Sequence, residues 1–216
     1  MRVWSLSLGV LLLASVAQAQ RVPTGPVRVL TALENVEARY VSGRYAHSTR
    51  INEPQGLYEW DCSAMVGWFL RRATPQAFAS LGRPRPLAVD FYRAIAAAPV
   101  ASPRRGWLQV PRIADARPGD VLAWPRPRWF RSRNTGHVAF VVGVPRPVVG
   151  GYLVRIADAT SLAHQDDTRR GRTGLGRGTI LVTTDALGRG TGYGWFGQGC
   201  PDCVIPTHVA IGRAVR

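Results

Sequence analysis

Tyr58-Glu59-Trp60-Asp61-Cys62-Ser63-Ala64-Met65-Val66 changes character in the middle. Its first half is loop-like, and the run that follows from Ala64 to Leu70 is apolar nearly all round. Asp61 reads as a helix N-cap, because a short carboxylate can accept from the free first-turn amides. The helix behind it is apolar on every face and is therefore expected to be buried. That places Cys62 in the first turn of a buried helix. Helix amides stabilise negative charge there by only about 0.3–1 kcal/mol, so a histidine is needed to complete an activated thiol.

Upstream, Val29, Leu30, Leu33, Val36 and Tyr40 have helical spacing, which predicts an amphipathic helix over Arg28 to Val41. Ser42 to Tyr58 reads as loop. Pro75 can open a helical turn, and Ala88 to Ala98 reads as a further helix. After Trp107 the pattern turns to short strands: Asp120 to Trp124, His137 to Val142, Tyr152 to Ala157, Thr179 to Thr183 and His208 to Ile211. Pro145 to Gly151 reads as a hairpin-like return. Helices first and strands later is the α+β arrangement. His137 begins its strand, so the sheet holds it while its ring reaches out at the edge, as a general base must. If the next strand pairs with it, Asp158 lies beside His137 and can orient the ring.

Three short motifs then resemble those of NlpC/P60 cell-wall peptidases. Asp61-Cys62-Ser63-Ala64 is similar to the family's D-C-S-G, with Ala64 for the usual glycine. Pro118-Gly119-Asp120 is similar to its P-G-D strand, and Gly136-His137-Val138-Ala139-Phe140-Val141-Val142-Gly143 to its histidine strand. Asp158-Ala159-Thr160 falls where the family carries a third polar residue, and the motifs run in family order over Val29 to Thr160. The resemblance implies a papain-like fold, with N-terminal helices packed on an antiparallel sheet. It also implies hydrolysis of amide bonds in peptidoglycan stem peptides by Cys62 as nucleophile, His137 as base and Asp158 as third member. Tyr45 or Tyr58 would correspond to the family's upstream tyrosine near the oxyanion, and Ser63 joins them as a candidate for that site. No cofactor or metal is implied. A non-catalytic envelope-binding protein of the same fold, and a thiol amidase with another substrate, are the rival readings.

The remaining chain bounds the setting. The protein has 216 residues, a formal charge of +15 with 28 Lys and Arg together, and 46% hydrophobic residues. No lysine occurs, so every one of those basic residues is arginine. That composition excludes a disordered polycation and suits one domain over residues 20–216. Arg2, an apolar run from Leu6 to Val16 and Ala17-Gln18-Ala19 read as a signal peptide over residues 1–19, cleaved after Ala19. The run falls short of the ~20 residues of a spanning helix. The expected location is periplasmic or secreted, as a monomer with no transmembrane segment after cleavage. Its excess arginine suits peptidoglycan or another anionic envelope polymer, and no nucleic-acid motif is present.

Cys200 and Cys203 can close a local disulfide in an oxidising compartment, or supply two ligands of a zinc site that lacks a convincing fourth. Thr74 to Arg105 reads as a helical insertion and Ser161 to Arg216 as an extended C-terminal region. Within the latter, His164, Asp166 and Asp167 can bind a metal or cap a turn. Gly174-Leu175-Gly176-Arg177-Gly178 lacks the lysine of a phosphate loop and reads as a loop into the Thr179 strand.

Overall fold

The computed structural model describes residues 24–131, 133–169 and 172–215, so the expected signal peptide lies outside the described residues. Four helices occur among them: α1 (Thr24–Arg39), α2 (Cys62–Ala73), α3 (Pro75–Ala79) and α4 (Ala88–Ala96). Helix α1 buries Val29, Leu33 and Val36, the stripe that its periodicity marks. Helix α2 starts where Asp61 caps it, the carboxylate accepting from the Ala64 amide at 2.8 Å. The segment read as loop before it contains β1 (Ser42–Tyr45), β2 (Arg50–Asn52) and β3 (Leu57–Trp60). These form a small sheet in the order β1-β3-β2, with the β1–β3 pair parallel.

The second sheet overturns the expected architecture. Strands β5 (Val121–Pro125), β6 (Gly136–Val141), β8 (Gly151–Thr160), β9 (Gly174–Thr184), β10 (Gly190–Gly194) and β11 (Val204–Ala214) pair antiparallel in the order β10-β9-β8-β6-β5-β11. Pairing of β10 with β11 closes the ring. The protein is thus mostly β, a six-stranded antiparallel barrel plus a small sheet, and not the α+β papain-like packing of N-terminal helices on an antiparallel sheet. Strands β4 (Trp107–Val110) and β7 (Arg146–Val148) attach outside the ring, on β11 and β8.

The reason lies in the segment after Ser161. It supplies β9, β10 and β11, half of the barrel. Gly174, Gly176 and Gly178, expected in a loop, sit in β9. In β10 the register shifts between Gly190 and Gly192 against both neighbours, a bulge that bends the strand where the ring must close.

Strands β5, β6 and β8 are covered on both faces, which is why they read as nearly continuous apolar runs rather than alternating ones. Leu122, Trp124, Ala139, Val141, Val154, Ile156, Ile180, Val182 and Ile211 share the inner cluster. Val121, Val138, Phe140 and Ala157 face the other way, into a cluster with Val66 and Phe69 of α2 and Phe91 and Ile95 of α4. Phe69 meets Phe140 edge-on at 5.7 Å. Helix α2 is thereby fixed against the outer wall, with its N-terminus beside the barrel mouth. No helix among the described residues is long and apolar enough to cross a membrane.

The Pro118-Gly119-Asp120 motif has an architectural role here. Gly119 has φ +90, and a side chain there would run into Pro26 of α1. Asp120 accepts from the Arg117 amide at 2.8 Å and from Arg213 of β11 through two nitrogens, each at 2.8 Å. The motif joins the start of β5 to both α1 and β11.

Candidate active site

Cys62 is the first residue of α2 and is buried; it is also the free cysteine, since Cys200 and Cys203 form a disulfide. His137 is the second residue of β6, opposite Trp124 of β5. Its alternation with Ala139 and Val141 turns the ring toward the barrel interior, at the mouth. There it packs between Trp124 and Trp195, with ring centroids 5.0 Å away in each case. Pairing of β6 with β8 in the register Phe140↔Ala157 brings Asp158 onto the same inner face, diagonal to His137.

These elements bring the three candidate residues together. His137 Nε2 donates to Asp158 Oδ2 at 2.6 Å, and the imidazole also hydrogen-bonds with the Cys62 side chain. Because Nε2 is committed to Asp158, the thiol contact falls to Nδ1. Burial works against a charged His137 ring, but the negative field of Cys62 and the Cys62 and Asp158 hydrogen bonds outweigh it and push its pKa up to about 10. Burial likewise opposes an ionised Asp158, yet the hydrogen bonds and charges of His137 and His164 hold its carboxyl far below the usual range.

Asp158 is gripped from three sides, and two of the partners were not assigned to it by the sequence. His164 Nε2 donates to the same Oδ2 at 2.9 Å, while its Nδ1 faces the Trp195 carbonyl at 3.1 Å. Arg169 bonds Oδ1 and also donates to the Asp158 carbonyl at 2.7 Å and to the Gly174 carbonyl at 2.8 Å. Asp167 closes the loop: it bonds the Arg169 guanidinium and accepts from the His164 and Arg169 amides at 2.9 and 2.7 Å. Between the two roles open for this segment, Asp167 therefore caps a turn, and Asp166 lies beside it at φ +51.

The glycines of β9 make this grip possible. A Cβ at Gly176 would meet Arg169 Cγ at 2.5 Å, and one at Gly178 would meet His164 Cβ at 2.5 Å. Alternate glycines in a strand mark close approach of other groups, and that was the available signal for His164 and Arg169. Gly176 lies directly opposite Asp158 in the β8–β9 register.

The other candidates separate. Tyr45 lines cavities on both sides of the Cys62–His137 pair. Burial pushes its hydroxyl pKa up, helped by the negative charge of Cys62, Asp61 and Asp158, so it remains a hydrogen-bond donor at neutral pH. Tyr58 is 2% exposed and packs among Tyr40, Trp60 and Trp68, lining neither cavity. Ser63 lines the cavity on the Cys62 side, but its hydroxyl is tied to Asp61 Oδ1 at 2.8 Å. His47 stands at the rim of the Cys62-side cavity with Nδ1 3.6 Å from Asp61.

His137, Asp158 and His164 offer donor atoms within 4.8 Å of one another, a set that can hold a metal ion. A cation there would have to break both imidazole–carboxylate bonds and sit beside the Arg169 guanidinium. The arrangement is better suited to moving a proton: a thiol, an imidazole, and a carboxylate too firmly held to take the proton itself.

Fold and site together define a six-stranded barrel protein with a Cys-His-Asp relay at the barrel mouth. Comparison of the chain with protein-family models, curated proteins and solved structures finds no match.

Proposed function

We propose that this protein is a thiol hydrolase that cleaves amide bonds through an acyl-enzyme. The observation that carries this reading is the unbroken series Cys62–His137–Asp158 between two open cavities. In the first half-reaction the Cys62 sulfur adds to the amide carbonyl and its proton passes to His137. The C–N bond breaks as His137 gives that proton to the leaving nitrogen, and a thioester remains on Cys62. In the second half-reaction water adds, its proton passes to His137, the acid departs and the thiol is regenerated. Asp158 orients the imidazole and stabilises its charged form throughout. Asp61 takes up the Ala64 and Met65 amides through its carboxylate and carbonyl. The amides of Cys62 and Ser63 then serve the oxyanion, with the Tyr45 hydroxyl opposite.

The resemblance of the motifs makes peptidoglycan stem peptides the first substrate to assay, in an exported protein drawn by its arginines to anionic envelope polymer. Purified protein and a Cys62→Ala variant are incubated with soluble peptidoglycan fragments and with small peptide amides, and new amine termini are followed by mass spectrometry. New termini made by the parent protein alone are expected. Equal cleavage by both proteins contradicts the nucleophile, and binding to sacculi without cleavage of any amide favours an envelope-binding protein.

A further inference from the structure

The two cavities beside the relay differ in size and lining, and the chemistry decides which part of a substrate enters each. A cavity of about 340 Å³ has His137 in its wall and is framed by Trp124, Phe130, Tyr193, Trp195 and Phe196. A smaller one of about 150 Å³ has Cys62 in its wall and is framed by Ser63, Leu87 and Ala88 with the polar rim of His47 and Arg133. The larger volume is within the range of small-molecule sites, about 300–1,000 Å³, and its aromatic faces suit a planar or apolar group.

In acyl transfer the imidazole must protonate the departing nitrogen, so the leaving group has to lie within hydrogen-bond reach of His137. The acyl part stays on the sulfur. His137 lines the larger cavity and not the smaller; Cys62 lines the smaller and not the larger. From this asymmetry we infer that the enzyme releases an amine bearing an aromatic or bulky apolar group from a small acyl unit. The inference rests on the thiol-hydrolase reading and refines its substrate. A second wall feature fits the same role: the indole N–H of Trp195 is held by the Leu162 carbonyl at 3.1 Å, which fixes that ring as a flat platform beside His137.

The test uses N-acetyl-alanyl amides of glycinamide, glutamate, phenylalaninamide and tryptophanamide. The aromatic amides are expected to exceed the glycine amide by about 10- to 200-fold in kcat/KM, the discrimination an apolar pocket gives. Ile205→Trp, which fills the cavity from β11, is expected to abolish that preference and leave the glycine amide within a few-fold; Phe196→Ala is expected to weaken it. Independently of turnover, phenylalaninamide is titrated into the Cys62→Ala variant and the Trp195 indole resonance is followed. A saturable shift with phenylalaninamide, absent with glycinamide, is expected. Cys62-dependent turnover with a flat ranking, or a preference for the glutamate amide, overturns the inference and leaves the hydrolase reading standing. With no Cys62-dependent turnover of any amide the hydrolase reading falls, and the inference about the released amine falls with it; an indole shift would then show only that the cavity binds aromatic amines.

Discussion

Asp120, just before β5, and Asp158, within β8, are both completely buried, both paired with an arginine and both part of a short motif, yet they are held in opposite ways. Asp120 meets a guanidinium and a backbone amide. Burial raises its pKa more than Arg213 lowers it. Asp158 meets a guanidinium and two imidazoles, and the imidazoles overcome burial to hold it ionised. A guanidinium keeps its protons at any ordinary pH, so Asp120 can only tie β5 to β11. An imidazole gives and takes a proton, so Asp158 can govern a reaction. A buried carboxylate becomes functional through what its partners can exchange, and sequence context around the two aspartates does not reveal that difference.

The largest expected effects separate the two roles. Asp158→Asn is expected to lower amide turnover by about 10²- to 10⁴-fold, because the ring loses its orienting charge. Asp120→Asn is expected to leave turnover per folded molecule within a few-fold, while removing about 3–5 kcal/mol of stability as Arg213 loses its buried partner. Urea denaturation beside kcat/KM for both variants checks this pair. A reversed result, with Asp120 controlling rate and Asp158 only stability, breaks the comparison. Arg169→Met sharpens it: the carboxylates of Asp158 and Asp167 lose their shared cation, and a stability loss of about 3–5 kcal/mol is expected.

The pH dependence follows from the direction of each shift. The folded pKa of His137 lies above its unfolded value of about 6.5, so its contribution to stability is complete below that pH and is lost as pH rises toward about 10. The folded pKa of Asp158 lies below its unfolded value, so its contribution is complete above about pH 4 and is lost as pH falls further. Stability from this pair is therefore greatest from about pH 4 to pH 6.5. His137→Asn is expected to flatten the alkaline decline in urea-unfolding experiments; an unchanged slope would place the titrating group elsewhere. The smallest effect is expected at the disulfide. Cys200→Ser with Cys203→Ser opens a very short loop and costs about 2 kcal/mol or less, read as a small fall in Tm.

Much of the helical half was legible. The stripe of α1, the cap at Asp61, the start of α3 at Pro75 and the position of α4 all follow from local spacing and capping, which act within a few residues. Strands β5, β6 and β8 were legible as apolar runs. Ring closure was not, because it depends on β10 meeting β11 across a bulge, and no local pattern encodes that pairing. The same limit applies at the site. Cys62, His137 and Asp158 each stand at a strand or helix position that local rules pick out. His164 and Arg169 reach Asp158 only because Gly176 and Gly178 clear the way, and glycine spacing reads equally as loop until the strand is seen.

The most direct test of the relay is the pH-rate profile for alkylation of Cys62 by iodoacetamide, compared between the parent protein and His137→Ala, with the Cys200–Cys203 disulfide intact. If the sulfur and the imidazole share a proton, the parent protein alkylates faster than the variant below pH 8, where a free thiol is mostly protonated, and the two rates converge as the pH rises above that. Superimposable profiles for the two proteins would contradict it.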